Sequence, residues 1–396
     1  MPGLRSKLAG LDGLKRRWSE MLEGHGTGLA PEEIPHGPLT AVTGFGSNPG
    51  NLRMFTYRPP GALPKPALVV VLHGCTQDAA GFDVGTGWST LADRHGFVLL
   101  YPQQTRANNP KTCFNWFVPG DTARDAGEAL SIRQMIAHAI AEHGADPARV
   151  FVTGLSAGGA MSAVMLATYP EVFAAGAVVA GLPYGAARNV QEALDAMFQG
   201  RTRPARDWGD LVRSAAAPYR GPWPRVSVWH GDADATVKHM NAGETVKQWT
   251  DVHGLSSAPT KRDRLDGHVR EIWRDAAGLD AVESITVAGL AHGTPLAAGA
   301  GPSQCGQAGP FLIEAGISST WHIARFFGLT ADAALKSADR PGVRTEPAGA
   351  AREREVEPEI IPPYRPGAGH GAGLPIDVGA VIQKALQSAG LLKRGP

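Results

Sequence analysis

Ser156 lies between two glycines, Gly154 and Gly158, in a G-x-S-x-G pattern that points to covalent catalysis. A serine hydroxyl becomes a nucleophile once a neighbouring base removes its proton. The pattern alone is weak evidence, because short glycine-containing motifs recur by chance. Here the run "VFVT" before it predicts a strand, and "GGAMSAVML" after it predicts a helix. A strand-to-helix turn this tight needs small residues on both sides of the serine, so we expect Ser156 to be exposed at the helix start.

Two candidate acids and a histidine follow the serine along the chain. "WHGDADATV" places Asp232 and Asp234 just after a predicted strand, and Asp234 has the H-G-x-x-D spacing that returns a carboxylate towards a histidine. Both acids stay open here, with Asp234 favoured. His292 follows the last predicted strand, in the glycine-bounded loop of "ITVAGLAHGTP". The order serine, acid, histidine predicts that His292 takes the proton of Ser156 while the carboxylate orients the imidazole.

The segment "VVVLHGCTQ" ends a buried strand and predicts the position of an oxyanion hole. A tetrahedral intermediate needs N–H groups around its oxyanion, and we assign the backbone N–H groups of Cys75 and Ala157 to this role. His73, in the same segment, is expected to contact the substrate. The three cysteines, Cys75, Cys113 and Cys305, lack the spacing of a zinc site and allow one bridge with one free thiol. We expect neither a metal nor a cofactor.

Strands that alternate with helices must bring these residues together. Helical spacing predicts a helix over "DAGEALSIRQMIAHAIAEHG", which Gly144 ends. Strands are predicted in "LRMFTYRPP", "ALVVVLHG", "FVLLYP", "ARVFVTG", "AAGAVVAG", "RVSVWHG" and "SITVAGLAHG". This alternation predicts an α/β fold with a mostly parallel sheet and helices on both faces. The candidate residues follow strand ends, which share one edge of a parallel sheet.

Composition and charge exclude several classes of function. The chain has 396 residues, of which 43% are hydrophobic, and its 38 basic and 37 acidic side chains give a net charge of +1. Without a basic stripe or a charged block, nucleic acid is not an expected partner. No apolar run approaches the roughly 20 residues of a membrane span. The N-terminus lacks the apolar core of a secretory signal, so we expect a cytoplasmic protein.

Changes in composition divide the chain into three parts. Residues 1–35 predict a helical extension, residues 36–330 a catalytic domain, and residues 331–396 a linker-like tail that ends in an amphipathic helix. Within the catalytic domain, the proline- and arginine-rich segment 182–224 predicts a lid or rim over one sheet edge. Each terminal helix has two interpretations. It either docks on the catalytic domain or binds a partner, such as a granule surface or a second copy of the chain.

Longer motifs resemble those of polyhydroxybutyrate (PHB) depolymerase-type esterases, an α/β-hydrolase family similar to feruloyl and acetylxylan esterases. The resemblance covers roughly residues 42–328 and rests on "HGCTQDAAGFDVGTGWSTLADRHGFVLLYP", "CFNWF", "GLSAGGAMSAVMLATYPEVFAAGAVVAGLPYG", "WHGDADATV" and "GLAHGTPL". It implies that Ser156, Asp234 and His292 form a catalytic triad. It also implies that Cys75 lies in the oxyanion loop.

The resemblance has further implications for the segment "CFNWF" and for the substrate. Trp116 in this segment either lines the acyl or polymer cleft or packs in the core. A Cys75–Cys113 bridge would suit secreted relatives, whereas the expected cytoplasmic location argues against it. Polymer-degrading relatives carry an export signal and a polymer-binding module, and neither is recognisable here. Soluble oligomers, small esters or intracellular granules are therefore favoured over crystalline polymer.

These features predict a carboxylic ester hydrolase that works through an acyl-enzyme. Short-chain hydroxyalkanoate esters or oligomers are the expected substrates, and feruloyl or acetyl esters are the alternative. A catalytically inactive hydrolase fold that binds granules or partners through its terminal helices is the alternative of another class. A peptidase ranks below both, because the chain lacks the large N-terminal domain with which such peptidases often gate their substrates.

Overall fold

A ten-stranded sheet organises the part of the chain that is described. The computed structural model describes residues 37–330; the predicted extension 1–35 and tail 331–396, with both terminal helices, lie outside the described residues. The strands of the sheet are β1 Thr40–Val42, β2 Arg53–Tyr57, β3 Leu68–Leu72, β4 Val98–Gln103, β5 Val150–Leu155, β6 Ala175–Val179, β7 Arg225–Gly231, β8 Lys261–Leu265, β9 His268–Arg274 and β10 Asp280–Val287. Two short strands, β11 Thr294–Leu296 and β12 Leu312–Glu314, pair in a separate parallel sheet.

Helices cover both faces of this sheet. They are α1 Ala79–Thr86, α2 Trp88–His95, α3 Pro119–Thr122, α4 Gly127–His143, α5 Ala157–Thr168, α6 Val190–Phe198, α7 Ala205–Ala215, α8 Met240–Val252 and α9 Ser319–Phe326. The predicted end of α4 is confirmed, because Gly144 has the left-handed φ of 62° that suits a glycine cap. Among the helices of residues 37–330, none combines the length and apolar character needed to cross a bilayer.

The strand order is β1-β2-β4-β3-β5-β6-β7-β10-β9-β8. From β4 to β10 in this order, neighbouring strands are parallel. Antiparallel strands flank this central part at both edges. The predicted α/β fold with a mostly parallel sheet is therefore confirmed. The carboxyl ends of β3, β5, β7 and β10 share one edge, which is where the candidate residues follow in the sequence.

Strand β3 shows how the sheet is buried on both faces. Its side chains alternate, so Leu68, Val70 and Leu72 enter one apolar cluster. Val69 and Val71 enter the other, and all five side chains are fully buried. The first cluster contains side chains of α4, α5, α7 and α8, and the second those of α1, α2 and α9. A continuous apolar run is what a parallel strand between two helical layers requires.

The segment 182–224, predicted as a lid or rim, contains α6 and α7. Helix α7 packs against α5 and α8, and its Trp208 side chain is fully buried. The indole N–H of Trp208 donates to the carboxylate of Glu244 on α8 at 2.6 Å. Helix α7 is thus part of a helical layer on one face of the sheet, because its aromatic side chain finds both an apolar site and a hydrogen-bond acceptor there.

The β8–β9 hairpin is an edge feature that apolar periodicity does not predict. Its turn contains Asp266 and Gly267, with positive φ angles of 46° and 87°, as a two-residue Asp-Gly turn requires. Across the two strands, Arg270 donates two hydrogen bonds to the Asp263 carboxylate. Charged side chains face solvent on these edge strands, so the strands lack a clear apolar pattern. The Asp-Gly dipeptide was the sequence signal that could have predicted the hairpin.

Candidate active site

Ser156 occupies the sharp turn between β5 and α5. Its backbone has φ 55° and ψ −115°, a conformation that non-glycine residues rarely adopt. Both flanking glycines are required: a Cβ on Gly154 would lie 2.5 Å from the carbonyl carbon of Gly158, and a Cβ on Gly158 would lie 2.2 Å from Leu72 O. The Ser156 N–H donates to Val179 O at 2.9 Å, which holds the turn against β6. The predicted strand–turn–helix is confirmed.

The structure joins Ser156, His292 and Asp234 in one chain of hydrogen bonds. His292 Nε2 lies 2.9 Å from Ser156 Oγ, and His292 Nδ1 lies 2.7 Å from Asp234 Oδ2. The serine and the histidine side chain each remain 9% exposed, whereas the Asp234 side chain is fully buried. The hydroxyl and the imidazole therefore keep a small solvent-exposed fraction, while the carboxylate is shielded from water.

Several donors around Asp234 stabilise its ionised form. Its Oδ1 accepts hydrogen bonds from the backbone N–H groups of Thr236 and Val237, both at 2.8 Å. His230 Nε2 lies 3.3 Å from Oδ2, the oxygen that faces His292. Burial by itself raises the pKa of Asp234, but the contacts with His230 and His292 outweigh burial and hold the pKa well below its usual range. The carboxylate is therefore negative at neutral pH.

Asp232, the other candidate acid, has a different partner. Its Oδ1 accepts a hydrogen bond from the Gly289 N–H at 2.6 Å, in the loop that leads from β10 to the histidine. This loop lies so close to the end of β7 that a Cβ on Gly231 would be 2.1 Å from Leu290 O. Asp232 therefore stabilises the loop that carries His292. The structure places Asp234, rather than Asp232, against the imidazole.

Two more histidines and their partners complete the surroundings of the acid. The rings of His230 and His239 meet edge to face, with centroids 5.6 Å apart. His239 Nε2 lies 3.2 Å from Thr286 Oγ1, and burial lowers the pKa of His239. Histidine and aspartate are common metal ligands. Within residues 37–330, however, no three side chains of these types come together in an arrangement that could hold a metal ion.

The end of β3 and the start of α5 meet beside the serine. A Cβ on Gly158, in the first turn of α5, would lie 2.6 Å from His73 O. Ala157 is the first residue of α5, and Cys75 follows shortly after the end of β3. Their N–H groups thus lie on adjoining segments, as an oxyanion hole requires. Their role as oxyanion donors stays a prediction.

A disulfide joins Cys75 to Cys113, and Cys305 is a buried free thiol. One bridge with one free thiol was an arrangement that the sequence left open. The bridge ties the segment after β3 to the loop after β4, and the Thr76 N–H reinforces this contact by donating to Lys111 O at 2.7 Å. The expected cytoplasmic location argued against this bridge. The structure contains it, and the location stays a prediction.

The structure corrects the prediction that His73 contacts the substrate. Its side chain is 1% exposed, its Nδ1 lies 2.7 Å from Gly74 O, and its Nε2 accepts a hydrogen bond from the Gln104 N–H at 3.1 Å. The ring also packs against Phe114, with centroids 5.0 Å apart. Burial lowers the pKa of His73 to about 4. The imidazole is therefore a neutral structural link between β3 and the loop after β4.

Trp116 lies almost wholly in the core. It is 6% exposed, and its ring meets Phe117 edge-on with centroids 5.4 Å apart. It belongs to the same apolar cluster as Ala157 and Leu182. Of its two interpretations, this burial favours packing in the core. A direct contact with substrate stays a prediction.

The sequence interpretation missed a buried carboxyl, Glu128 on α4. Gln104 Nε2 donates to one of its oxygens and also to Cys113 O, while the Asn115 N–H donates to the other oxygen at 2.9 Å. Burial raises the pKa of Glu128 to about 8, and the nearby Asp121 carboxylate contributes to this rise. The network connects α4 to the loop that carries the disulfide. No sequence signal marked it, because glutamate in the first turn of a helix is common.

We expect Glu128 to make the free energy of unfolding fall as the pH rises from about 4.5 to about 8. The unfolded chain releases this proton near the ordinary value of 4.5, whereas the folded protein keeps it up to about 8. The decline amounts to several kcal/mol, at about 1.4 kcal/mol for each pH unit between the two values. Urea unfolding of wild type and Glu128→Gln, near pH 5 and near pH 9, measures it, since glutamine carries no proton to lose.

The control for this experiment is Glu142→Gln, which changes an exposed carboxyl of the same helix. This variant should keep the full decline of the wild type. The difference between wild type and Glu128→Gln isolates Glu128 from other buried carboxyls, such as Glu283, whose pKa burial also raises. Equal declines in wild type and Glu128→Gln would show that Glu128 is not protonated in the folded protein.

A sequence model of a known family spans both the serine turn and the acid loop. The family is described as esterase PHB depolymerase, and it matches residues 52–273. The chain belongs to this family. It is a carboxylic ester hydrolase of the α/β-hydrolase type, so the predicted family, fold and reaction class are confirmed.

Relatives of this esterase are named as a polyhydroxyalkanoate depolymerase, an acetylxylan esterase and a feruloyl esterase. Poly(3-hydroxyalkanoate) depolymerase C of Paucimonas lemoignei is 46% identical over 291 residues, which are 74% of this chain and 70% of that protein. Acetylxylan esterase of Coprinopsis cinerea is 38% identical over 275 residues, 68% of this chain and 72% of that protein. Feruloyl esterase B of Talaromyces stipitatus is 34% identical over 265 residues, 65% of this chain and 72% of that protein.

A solved structure supports the fold of the esterase independently. Acetyl xylan esterase from Aspergillus awamori superposes with a TM-score of 0.60 at 30% identity. The superposition covers 65% of this chain and 94% of that one. Almost the whole length of that enzyme therefore has a counterpart in this chain.

Proposed function

We propose that the protein hydrolyses short-chain hydroxyalkanoate esters and oligomers through an acyl-enzyme on Ser156. The observation that carries the proposal is the chain of hydrogen bonds from Asp234 through His292 to Ser156, at 2.7 and 2.9 Å. The strained serine turn supports it as well, because backbone strain of this kind is concentrated at functional sites. A serine that served only to end a strand would need neither feature.

In the first half of the proposed reaction, Ser156 Oγ attacks the ester carbonyl carbon while His292 Nε2 takes the hydroxyl proton. The carbonyl oxygen becomes an oxyanion, which accepts hydrogen bonds from the N–H groups of Cys75 and Ala157. Asp234 stabilises the imidazolium through Nδ1–H. The bond to the leaving oxygen then breaks, that oxygen takes the proton from His292, and the alcohol departs.

In the second half, water replaces the alcohol. His292 Nε2 takes a proton from this water as its oxygen attacks the acyl carbon, and the same N–H groups receive the second oxyanion. Collapse of this intermediate breaks the bond to Ser156 Oγ, which recovers its proton from His292. The acid product leaves, and the enzyme returns to its starting state without a further reactant.

The proposed acyl group is a short hydroxyalkanoate. The relative named poly(3-hydroxyalkanoate) depolymerase C is more similar in sequence, at 46% identity, than the relatives named acetylxylan esterase and feruloyl esterase B, at 38% and 34%. Acetyl or feruloyl esters are the second candidate, which the superposition on an acetyl xylan esterase favours.

A substrate panel on the purified full chain tests the proposal. It comprises p-nitrophenyl acetate, butyrate and octanoate, 3-hydroxybutyrate trimer, amorphous polyhydroxybutyrate granules, methyl ferulate and acetylated xylan. We expect the highest kcat/KM on butyrate and on the trimer. Faster turnover of methyl ferulate or acetylated xylan would replace the proposed substrate by the second candidate. Absence of turnover on every ester would contradict the proposed reaction.

Reduction of the disulfide is expected to lower the activity. The bridge holds the segment that carries the proposed donor of Cys75, so its loss should reduce kcat by at least about tenfold and at most by the roughly 10²–10³-fold that loss of one oxyanion donor costs. Treatment with dithiothreitol, followed by a p-nitrophenyl butyrate assay, measures the effect. Cys113→Ser should reproduce the reduced activity and should no longer respond to the reductant.

Cys305 provides the matched control, because it is a free thiol buried away from the bridge. A Cys305→Ala variant should keep the response to dithiothreitol. In the unfolded wild type, we expect one reactive thiol before reduction and three afterwards, measured by alkylation and mass spectrometry. Full activity of the reduced protein would show that the reaction does not depend on the disulfide.

The proposed location and partners beyond the substrate have no support in residues 37–330. Granule binding and self-association were predicted for the terminal helices of 1–35 and 331–396, which lie outside the described residues. They stay predictions, as does the cytoplasmic location.

A further inference from the structure

His230 is a buried histidine that the proposed reaction does not use as acid or base. It lies on β7, and its side chain is 1% exposed. Its Nε2 lies 2.8 Å from Val237 O and 3.3 Å from Asp234 Oδ2. Its Nδ1 is buried and has no hydrogen-bond partner within residues 37–330. One side of the ring thus faces two acceptors, and the other faces none.

This arrangement selects one form of the His230 ring. A proton on Nε2 can be shared between Val237 O and Asp234 Oδ2, whereas a proton on Nδ1 would be a buried donor without an acceptor. A proton on Nε2 therefore satisfies the most hydrogen bonds. It presents the positive end of an N–H dipole to the carboxylate.

Val237 connects His230 to the acid a second time. Its N–H donates to Asp234 Oδ1 at 2.8 Å, while its carbonyl oxygen lies 2.8 Å from His230 Nε2. Val237 therefore fixes the turn that follows Asp234 at two points, through its N–H to the carboxylate and through its carbonyl oxygen to the His230 ring. A movement of the His230 ring would change the position of Val237 and, through it, the orientation of the carboxylate.

We propose that His230 is a positioning residue for Asp234. Its Nε2–H is shared between Val237 O and Asp234 Oδ2, and this contact holds Oδ2 towards His292. This inference rests on the proposed function. Among the titratable groups around it, Asp234 and His292 form the hydrogen-bonded pair, and Asp232 is bonded to Gly289.

His239 is a further titratable group beside His230, and its Nε2 faces Thr286 on β10. Among these groups, His230 and His292 are the two histidines whose ring nitrogens approach Asp234 Oδ2. Substitution of His230 therefore removes a contact that His239 does not duplicate.

The test compares variants with and without a donor at position 230. In His230→Phe, the ring shape is kept but the N–H is lost, and we expect kcat to fall about tenfold, because a small misplacement of a reacting group slows the reaction, by up to about 10²-fold for 1 Å. KM should change less than about twofold, because His230 is not placed against the substrate. The acid limb of kcat/KM should move to higher pH, since a carboxylate with one donor fewer holds the imidazolium of His292 more tightly.

His230→Gln is the variant that separates a hydrogen bond from simple packing. Its side-chain amide can place an N–H near the position of Nε2. We therefore expect His230→Gln to recover most of the lost kcat and to restore the acid limb to its wild-type position. Equal losses in His230→Phe and His230→Gln, or an unchanged acid limb in His230→Phe, would overturn the proposal.

His253→Phe is the matched control for a histidine-to-phenylalanine change away from the acid. His253 Nε2 lies 3.0 Å from Pro224 O, so it also contacts a backbone carbonyl through one ring nitrogen. This variant should leave the acid limb unmoved. If His230→Phe does not fold, as judged by thermal unfolding, His230→Leu replaces it as the donor-free variant with the same expected results.

The proposed function and this inference fail in different ways. Wild-type turnover of p-nitrophenyl butyrate together with an inactive Ser156→Ala variant establishes the serine reaction without any reference to His230. The acid limb of the His230 variants is then read against that active wild type. An inactive wild type would contradict the proposed function. An active wild type, with the pH profile unchanged in His230→Phe, would contradict only the positioning role of His230.

Discussion

A Ser156→Ala variant is expected to hydrolyse p-nitrophenyl butyrate about 10⁶-fold more slowly in kcat than the wild type, the magnitude that loss of a triad nucleophile typically costs. The reason is that no acyl-enzyme can form without the hydroxyl that lies 2.9 Å from His292 Nε2. Single-turnover and steady-state assays measure the loss. A burst of p-nitrophenol in the wild type, absent in the variant, would report the acyl-enzyme directly.

His292→Ala should lose a similar factor, and the double variant should lose no more than either single one. This non-additivity is expected because the serine and the histidine act in the same step. Ser156→Ala retains the Cβ and the strained backbone, so its thermal unfolding should match that of the wild type closely. Wild-type activity in Ser156→Ala would exclude Ser156 as the nucleophile.

The second large effect is expected for Asp234→Asn, at about 10⁴-fold in kcat. The backbone N–H groups of Thr236 and Val237 both donate to Oδ1, so the amide oxygen must occupy that position. The amide NH₂ then takes the place of Oδ2 and faces His292 Nδ1. Because the NH₂ group is a donor, His292 must use Nδ1 as an acceptor and carry its proton on Nε2. Nε2 can then no longer accept the proton of Ser156.

Asp232→Asn is the matched control, because the same change is made two positions away. An asparagine oxygen can still accept the hydrogen bond from the Gly289 N–H, so we expect kcat to fall less than about tenfold. Steady-state kinetics of the two variants on one ester decides between the acids. A larger loss in Asp232→Asn than in Asp234→Asn would reverse the assignment.

The order of the candidate residues along the chain predicted much of the site. The small residues at Gly154 and Gly158 predicted the serine turn, because no side chain fits between the turn and β3. The H-G-x-x-D spacing favoured Asp234, which the structure places 2.7 Å from His292 Nδ1. Local spacing was informative here because the turns after β5 and β7 are short and leave few alternative paths for the chain.

Edge strands were harder to predict than central ones. Strands such as β3 are buried on both faces and therefore consist of continuous apolar residues. The hairpin of β8 and β9 faces solvent and is held partly by Arg270 and Asp263, so it has little apolar pattern. The hairpin reaches the edge of the sheet because β9 pairs with β10, the next strand along the chain, while β10 itself pairs in parallel with the distant β7.

The sequence by itself determined the reaction class and the alternation of strands and helices, and it predicted the candidate nucleophile, because each leaves a local pattern of residue types. Only the tertiary structure decided which carboxylate meets His292, that Cys75 pairs with Cys113, and that His73 is a buried link instead of a substrate contact. Each of these depends on which distant groups lie within hydrogen-bonding or bonding distance after the sheet has formed. That information is a property of packing, and the types and spacing of neighbouring residues do not contain it.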